Sequence, residues 1–377
     1  MTTLTQLIEH YCPDGVEYVK LEDVIELNPG TRITKARNTG TMFPVYGGGG
    51  VSFYTDDSNR SDEWVISRFA MSPHCFRYVS GKFWLLDSGI TFAVRGEQSK
   101  QYIAHFLSSI QPLIYATSSK SAQRNLRVKD FLKLELPLPS REVQDAIVER
   151  LDAFAALIES LDSEITLREN RFEYFREQLL TFDESDGVEC VKLGGAAEII
   201  TGKTPKTSEP ALWGGSTPFV TPTDFANGYD SHGRTARSVS DQALQAAKNK
   251  IVAPGATLVT CIGASLGGVA FATEQCLTNQ QINAVVPSEK LTPRFIYYVM
   301  QESADYLRSL GGSGTMPIVN KAKFSEFTLP LPSLEVQQDI ADKLDTMQAL
   351  IDNLKQEREL RKSQFEYYRE KLLTFNS

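Results

Sequence analysis

The stretch FLKLELPLPSREVQDAIVERLDAFAALIESLDSEITLRENRFEYFREQLLTFDE, residues 131–184, decides the fold, because the chain repeats it at residues 324–377 without a gap. At this constant offset of 193 residues, 28 of the 54 paired positions are identical. A second echo, DGVE followed by Val-Lys-Leu, begins at Asp14 and again at Asp186, which is an offset of 172 residues. The chain is therefore a duplication in which each unit is a globular stretch followed by a helical segment.

Each helical segment shows a heptad pattern that is typical of a coiled-coil seam. The seam positions are Ile147, Leu151, Phe154, Ile158, Leu161, Ile165, Arg168, Phe172, Phe175 and Leu179 in the first copy, and Ile340, Leu344, Met347, Ile351, Leu354, Arg358, Arg361, Phe365, Tyr368 and Leu372 in the second. Prolines precede Ser140 and Ser333, so each helix starts there and runs for about 40 residues, roughly 60 Å. Antiparallel pairing within the chain is the simplest way to bury both seams, and a coiled coil between chains is the alternative.

These patterns predict an α+β fold: two mixed α/β domains separated by an antiparallel coiled coil of two long helices, with internal pseudo-twofold symmetry. The predicted divisions are a first globular domain at residues 1–130, a central helix at 131–185, a second globular domain at 186–323 and a C-terminal helix at 324–377. The first domain includes an N-terminal helix fragment, because Gln6, Leu7 and Ile8 match Gln178, Leu179 and Leu180 at the 172-residue offset.

Charge is divided unevenly between these parts of the chain. The formal net charge is −8, but residues 14–130 hold 14 Lys and Arg against 12 Asp and Glu, while residues 131–184 hold 6 against 13. Slightly positive globular parts suit a polyanionic ligand, and acidic helices suit protein contact; ordinary surface scatter is the alternative.

Cysteine usage and leader signals indicate the cellular compartment. The five cysteines form no CxxC pair and the N-terminus shows no charged-then-apolar leader, so we expect a reduced, cytoplasmic protein. Residues 251–273 carry no charge, yet their glycines and Pro254 would ruin a spanning helix, so buried strands and turns are expected there and no membrane contact.

Short apolar runs and polar loops describe the globular parts. Strands are predicted from the runs Val65–Ser72, Phe83–Val94, Thr257–Ala272 and Ile282–Pro287, and helices from Gln101–Ile110 and Pro293–Met300. In each unit a polar loop, at Ser118–Asn125 or Gly311–Pro317, follows the helix and precedes the long helical segment. Loops held by a rigid scaffold are where binding residues usually lie.

Catalytic patterns are incomplete in this sequence. Gly202, Lys203 and Thr204 satisfy a relaxed phosphate-loop pattern, but Pro205 follows where the loop should enter a helix. Glu17 and Lys20 are three residues apart, whereas a metal-dependent nuclease places them two apart on one strand face. The four histidines are scattered, which argues against zinc, and the glycine run at residues 47–50 is typical of a flexible turn. With no NPPY or DPPY string either, the chain is expected to be non-catalytic.

The segment TGKTPKTSEPALWGGSTPFVTPTDF, Thr201–Phe225, resembles the start of a target recognition domain in the specificity subunits of type I restriction-modification systems. PVYGGGG, Pro44–Gly50, looks like its counterpart in the first domain, and LPLPSxEVQ before a long helix is similar to the spacer regions of that family. The resemblance covers essentially the whole chain, although the first domain lacks the TP and WGG strings.

The resemblance implies a subunit without catalytic activity that reads a bipartite, asymmetric sequence in double-stranded DNA, one half-site per recognition domain. It implies two methyltransferase subunits and restriction subunits as partners. The chain itself would bind no cofactor, since S-adenosylmethionine, ATP and magnesium would be held by those partners. The paired helices would act as a ruler that sets the spacing between half-sites.

Polar and basic loop residues are the predicted DNA contacts, because Arg can bind guanine through two hydrogen bonds and Asn or Gln can bind adenine in the same way. The predicted contacts are Lys35, Arg37, Arg68, Lys120, Gln123, Arg124 and Asn125 in the first domain, and Lys203, Thr204, Lys206, Thr221, Arg234, Arg237, Asn279, Gln280 and Thr315 in the second. Some of them would touch only phosphate.

Other functions remain open at this point. The chain could be the specificity subunit of a related bifunctional, type IIB-like restriction system, or a coiled-coil adaptor that does not bind DNA. An ATPase or nuclease would depend on Lys203 or on the pair Glu17 and Lys20.

Overall fold

The structure is a computed structural model that describes residues 4–37, 40–183, 187–226, 234–312 and 316–375. Two of its helices are 40 residues long and the rest are short. The helices are α1 (Leu4–Tyr11), α2 (Leu21–Val24), α3 (Lys100–Ser109), α4 (Gln111–Ala116), α5 (Val128–Phe131), α6 (Arg141–Leu180), α7 (Leu193–Ala196), α8 (Pro222–Ala226), α9 (Asp241–Ala246), α10 (Pro293–Glu302), α11 (Ala304–Leu310), α12 (Lys321–Ser325) and α13 (Leu334–Leu373).

The chain divides into two compact units, and each unit takes part of both long helices. Residues 1–163 and 356–377 form the first unit, and residues 164–355 form the second. The strands of the first unit are β1 (Tyr18–Lys20), β2 (Ile25–Pro29), β3 (Phe43–Tyr46), β4 (Val51–Thr55), β5 (Arg60–Ser67), β6 (Phe76–Leu85), β7 (Gly89–Val94) and β8 (Glu135–Pro137). The strands of the second unit are β9 (Glu189–Lys192), β10 (Ala197–Thr201), β11 (Trp213–Val220), β12 (Ser238–Val239), β13 (Thr257–Thr260), β14 (Val269–Phe271), β15 (Leu277–Thr278), β16 (Ile282–Pro287) and β17 (Thr328–Leu331).

A two-stranded ribbon opens and closes each unit in the same register. In the first unit β1 pairs antiparallel with β8, which places Val19 opposite Leu136. In the second unit β9 pairs with β17, which places Val191 opposite Leu329. The two echoes seen in the sequence therefore lie next to each other in each unit, and the string that contains Glu17 and Lys20 is a unit start, as its repetition predicts.

The sheet of each unit contains an equivalent pair of antiparallel strands, and the strands around this pair differ between the units. The first unit has a six-stranded sheet in the order β2-β7-β5-β6-β3-β4, and the second has a four-stranded sheet, β10-β16-β13-β14, with a separate three-stranded sheet, β12-β11-β15. The pairs β2·β7 and β10·β16 match residue for residue, since Ile25 faces Val94 and Ala197 faces Pro287. Between these paired strands lie 59 residues in the first unit (30–88) and 80 in the second (202–281). The 21-residue difference between the units is therefore confined to these two variable segments.

The long helices contact each other within each unit, and they run antiparallel there. In the first unit Phe154 stacks on Tyr368 at 5.4 Å between ring centroids, and Arg358 pairs with Asp162 at 3.1 Å. In the second unit Lys355 pairs with Glu169 at 2.7 Å. Apolar seam residues from both helices enter the core of each unit, so contacts within one chain bury them, as predicted for intramolecular pairing.

The predicted seam turns toward solvent at one repeated position. Phe175 and its counterpart Tyr368 are 37% and 40% exposed, although Tyr368 still stacks on Phe154, whereas Leu180 and Leu373, one position beyond the predicted Leu179 and Leu372, are buried. A straight helix has 3.6 residues per turn, so a strict seven-residue pattern drifts around its surface toward the helix end.

A buried glutamine fixes the start of each long helix. Gln144 Oε1 accepts a hydrogen bond from Ser99 N, and Gln337 Oε1 accepts one from Thr292 N. Ser99 and Thr292 are the N-cap residues of α3 and α10, so each glutamine connects a helix of the globular part of its unit to a long helix. The amide groups also donate to the carbonyls of the prolines just before the helix. The Gln of the LPLPSxEVQ string therefore has the same structural role in both units.

An aspartate about two turns after the glutamine on each long helix makes a similar connection with different partners. Asp152 contacts His105 Nε2 at 2.8 Å, whereas Asp345 accepts from Arg294 Nε at 2.7 Å and from the hydroxyl of Tyr298. Since residues 105 and 298 are 193 apart, the two contacts occupy equivalent sites. The term frame is used below for the parts that both units repeat, namely the ribbon, the strand pair β2·β7 or β10·β16, and the long helices. The frame has the carboxylate in both units, whereas the partners of the carboxylate differ.

Several predicted elements shift at their ends. The run Val65–Ser72 stops being a strand at Ser67, because Ala70 takes a positive φ of 48° and its N–H donates to Asn125 Oδ1. The run Phe83–Val94 is split between β6 and β7 by a turn in which Gly89 N donates to Leu86 O. Similarly, Thr257–Ala272 contains β13, a turn and β14, while Ile282–Pro287 is the predicted strand.

The apolar stretch at residues 251–273 forms strands and turns, as predicted. Within the described ranges, neither of the 40-residue helices nor any shorter one has the length and apolarity that a membrane span requires.

Candidate nucleic-acid interface

Three loops of the second unit are tied together where its predicted contacts lie. Lys203 N donates to Thr278 O at 2.9 Å, and Thr204 Oγ1 donates to Gln280 Oε1 at 2.7 Å. The N–H of Asn279 then donates to Val220 O at 3.2 Å, directly before Thr221. The structure thus brings Lys203, Thr204, Thr221, Asn279 and Gln280 into one cluster, the second loop cluster.

A buried carboxylate joins the next loop to this cluster. Asp224 Oδ2 accepts hydrogen bonds from Thr221 N and Thr221 Oγ1, at 2.8 and 2.6 Å, and Oδ1 accepts one from Ala236 N at 2.9 Å. Because Ala236 precedes Arg237, the carboxylate places that arginine beside the cluster, where its side chain is exposed. Arg234 and Lys206 are exposed as well, and Thr315 lies outside the described residues.

The side chains of the second loop cluster differ in how freely they can reach a ligand. Asn279 is only 9% exposed and its amide is occupied by Gln281, which accepts from Asn279 Nδ2 at 2.8 Å. Gln280 and Lys203 are exposed. Asn279 therefore holds the loop in shape, and it would have to exchange its bonds with Gln281 to contact a base.

The phosphate-loop pattern has no helix behind it. Gly202 is buried, and a Cβ there would lie 2.2 Å from Asn279 O. After Gly202 the chain continues through a loop to a three-residue 3₁₀ turn at Pro210–Leu212. A nucleotide phosphate site of this type needs a helix N-terminus immediately after the glycine. The glycine instead permits the close approach of two strands' loops.

The backbone of the glycine run in the first unit accepts hydrogen bonds from a half-buried arginine. Arg77 donates through its two terminal nitrogens to Gly48 O at 3.0 Å and Gly47 O at 2.7 Å, and Ser67 Oγ donates to the same Gly48 O at 2.6 Å. Burial lowers the pKa of Arg77 from its usual value, although the group stays charged at neutral pH. The glycine run is therefore an anchored turn at the edge of this unit.

The predicted contacts of the first unit lie beside this turn. A Cβ on Gly48 would lie 2.7 Å from Phe69 O, next to Arg68. Leu126 N donates to Arg68 O, and the guanidinium of Arg124 lies 4.1 Å from the ring centroid of Tyr115. Asn125, Arg124 and Arg68 are half-buried, while Lys120 and Gln123 are exposed on the same loop. These residues and the glycine turn form the first loop cluster.

Lys35 and Arg37 belong to a different loop from those of the first loop cluster. They form an exposed 3₁₀ turn, and neither side chain makes an ion pair or hydrogen bond to a described residue. The loop that carries them is anchored at its start, where Trp84 Nε1 donates to Thr31 O at 2.8 Å. Within the described residues, no hydrogen bond or ion pair joins the side chains of these two basic residues to the other five predicted contacts.

Known proteins resemble this chain along most of its length. The sequence pattern of the type I restriction modification DNA specificity domain matches residues 13–167 and 185–361. The chain belongs to this family. It is similar to the type I restriction enzyme EcoR124I/EcoR124II specificity subunit of Escherichia coli, with 26% identity over 342 residues, 85% of this chain and 79% of the relative. A putative type I specificity subunit of Mycoplasma pneumoniae is 25% identical over 370 residues, 94% and 96% of the two chains.

Solved structures of the specificity family share the fold. The S subunit of a type I restriction-modification system from M. genitalium gives a TM-score of 0.65 at 17% identity and covers 96% of this chain and 97% of its own. A chain from a study of complex assembly and conformational transition of the type I R-M system gives 0.58 at 18% identity, with 96% and 98% covered. The family and the fold class predicted from the sequence are thereby confirmed.

Sequence reasoning missed the residues that shape the two loop clusters of this specificity subunit. Arg77, Trp84 and Gln281 contact neighbouring backbone, and Gln281 Nε2 reaches Ile262 O at 3.4 Å. For Arg77 the sequence offered no clear signal, because its strand, Phe76–Leu85, does not alternate and also carries Lys82. For Gln281 the sequence offered no signal, because a glutamine in a polar loop is ordinary.

Proposed function

We propose that this chain is the sequence-reading, non-catalytic subunit of a type I restriction-modification complex, with each unit reading one half of a bipartite, asymmetric site in double-stranded DNA. The observation that carries the proposal is the contrast between a frame repeated in register and variable segments of 59 and 80 residues. Identical frames with unlike segments are suited to reading two unlike half-sites. The type IIB-like system is the alternative with the same DNA-reading role.

The proposed base and phosphate contacts are the sixteen residues predicted from the sequence. Fifteen of them are described, and eleven of these lie in the variable segments. Side chains that are exposed and have no side-chain partner among the described residues, such as Lys203 and Gln123, can reach DNA without rearrangement. The two long helices would set the number of unread base pairs between the half-sites.

Two methyltransferase subunits are the proposed protein partners, joined by restriction subunits in the complete complex. Each unit exposes the same four apolar positions on its long helices, and isolated exposed residues would not recur in this way. These residues are Leu157, Leu360, Tyr367 and Tyr368 in the first unit, and Leu350, Leu167, Tyr174 and Phe175 in the second. Equivalent surfaces suit two copies of one partner. S-adenosylmethionine, ATP and magnesium would be bound by the partners.

Exchange of the second globular domain tests the DNA-reading proposal. Residues 186–323 would be replaced by the corresponding domain of another specificity subunit, the chain co-expressed with its methyltransferase, and methylated adenines mapped across the host genome. We expect half of the methylated sequence to change and the other half to persist. Loss of assembly without any change of sequence would favour a coiled-coil adaptor instead.

Charge substitutions on the repeated apolar positions test the docking proposal. Leu167 and Leu360 are 52% and 66% exposed, so glutamate is tolerated by the fold at either site. We expect L167E and L360E each to bind one methyltransferase instead of two, and the double variant to bind none, as measured by native mass spectrometry. The matched control Gln338→Glu adds the same charge at an exposed position of α13 outside the repeated apolar set, and this variant should still bind two. Unchanged stoichiometry in the double variant would refute docking at these positions.

The enzyme alternatives have a separate test. Hydrolysis of ATP or cleavage of DNA by the isolated chain, abolished by Lys203→Ala, would contradict the non-catalytic role. The expectation of a cytoplasmic protein stays a prediction.

A further inference from the structure

The indole of Trp213 connects two of the proposed DNA contacts. Its Nε1–H donates to Lys206 O at 3.2 Å, which fastens the loop that carries Lys206. The ring meets the buried ring of Phe219 edge-on, with centroids 5.1 Å apart. Trp213 is only half-buried, so one part of the indole remains at the surface.

The guanidinium of Arg237 lies over both aromatic rings. Its Cζ is 4.7 Å from the centroid of Trp213 and 5.1 Å from that of Phe219. The side chain is exposed, and its N–H groups make no hydrogen bond or ion pair to any residue in the described part of the chain. Stacking of this kind restricts the plane of the guanidinium while leaving its donors available.

The two glycines after Trp213 make this arrangement possible. Gly214 has a φ of +82°, and a Cβ on Gly215 would lie 2.2 Å from Val239 O. The pairing of β11 with β12 shifts here, since both Trp213 and Thr217 face Val239. The resulting bulge turns Trp213 toward Arg237, which precedes β12. The WGG string is thus explained by the geometry of this one site.

An open pocket of about 400 Å³ adjoins the stacked pair, lined by Thr207, Trp213, Gly214, Ala236, Arg237 and Ser238. A tryptophan that only filled the core would be covered on all sides. Here the ring instead forms the floor beneath an exposed cation.

We propose that Trp213 is a positioning residue for sequence reading by the second unit: it orients the Arg237 guanidinium toward a base edge with two acceptors, such as guanine O6 and N7, and anchors the Lys206 loop beside it. The inference rests on the proposed DNA-reading function. Two parallel N–H donors in a fixed plane are what such a base edge requires. A leucine at position 213 would leave the positive charge in place but remove one of the two rings that restrict its plane.

The test compares substitutions that separate the ring, its N–H and the cation. The full chain, in complex with its methyltransferase, would be used to select duplexes from a pool of random sequence. We expect Trp213→Leu and Arg237→Ala each to lose roughly tenfold discrimination at the same base pair of one half-site, the effect of one good bidentate contact. The double variant should lose no more than either single one, since both changes remove one interaction.

Two further variants provide the rescue and the matched control. Trp213→Phe keeps an aromatic face beneath Arg237 and should retain most of the discrimination. Trp84→Leu makes the same change in the first unit, where Trp84 is half-buried and donates its indole N–H to Thr31 O. It should leave the preference affected by Trp213 unchanged.

The outcomes distinguish the inference from the function on which it rests. If wild type selects a bipartite sequence and Trp213→Leu selects the same one with equal discrimination, the positioning role is overturned and the DNA-reading function stands. A uniform loss at every base pair, equal in Trp213→Phe and Trp213→Leu, would also overturn it, because the ring would then only support the fold. If wild type itself selects no bipartite sequence, the proposed function fails.

Discussion

Removal of the Gln337 amide offers the most direct test of the repeated frame. Gln337 is 1% exposed and makes three hydrogen bonds, accepting from Thr292 N at 2.8 Å and donating to Pro332 O and Lys290 O, both at 2.9 Å. In Gln337→Leu the shape is nearly kept, but the partners lose their bonds. Lys290 is exposed and its carbonyl can turn to water, whereas Pro332 is buried and Thr292 half-buried.

The expected loss follows from these two unpaired groups. A buried donor or acceptor left without a partner costs about 1–3 kcal/mol, so Gln337→Leu should lower the free energy of unfolding of the second unit by about 2–4 kcal/mol. Gln144→Leu should do the same in the first unit, because Ser99 N and Pro139 O lose equivalent bonds. Since the two glutamines share no partner, their effects should add in the double variant.

Urea unfolding of the full chain, followed by circular dichroism and by tryptophan fluorescence, measures these losses. Two compact units can unfold in separate steps, so each variant should move one step and leave the other in place. Gln338→Leu is the control on the next residue, where the exposed side chain bonds only Asp342 and contributes at most about 0.5 kcal/mol. A loss below about 1 kcal/mol in Gln337→Leu would refute the reasoning.

Three further predictions concern single residues. Burial lowers the pKa of His105, and the nearby charge of Arg369 lowers it further, although the bond to Asp152 raises it. Because the folded state then binds the proton of His105 more weakly, stability should be full above about pH 6.5 and fall as the pH drops below it, and His105→Gln should flatten the profile between pH 7.5 and 5.5 in thermal melts. Gly215→Ala should destabilise the second unit by about 1–3 kcal/mol, because the new Cβ would overlap Val239 O, whereas Gly49→Ala faces open space and should melt within a degree or two of wild type. Burial raises the pKa of Cys75 and of Cys261 to about 11, so a disulfide reagent at neutral pH should modify exposed Cys190 in the native protein and reach the two buried thiols only on unfolding.

The frame could be predicted from the sequence because it is written twice. Independent copies of Ile147, Leu151 and the LPLPS string report the same buried surface, and both long helices have the expected length of 40 residues. Proline fixes the helix start through local backbone physics, and in the second copy Ser333 Oγ also accepts a hydrogen bond from Val336 N at 3.4 Å. The seven-residue pattern did not predict that the seam drifts around the helix surface, which leaves Phe175 and Tyr368 partly exposed near the C-terminal ends of the long helices.

The loop clusters could be predicted only in part, because their shape depends on contacts between residues far apart in sequence. Gln280 and Thr204 meet across 76 positions, and Arg77 reaches the glycine turn across about 30. Composition identified basic and amide side chains correctly as loop residues. It gave no means of knowing that the side-chain amide of Asn279 donates to Gln281, or that Lys35 and Arg37 form a 3₁₀ turn.

The structure also explains why one frame can carry segments of such different length. Both variable segments leave and re-enter through adjacent antiparallel strands, β2·β7 and β10·β16, whose registers are the same. The ends of each segment are therefore held at strand spacing whatever lies between them. Closing a flexible loop of 80 residues instead of 59 costs only about 0.3 kcal/mol more. Since the frame is almost indifferent to the length of the segment, the proposed DNA-reading surface can change while the glutamine and aspartate contacts to the long helices stay fixed.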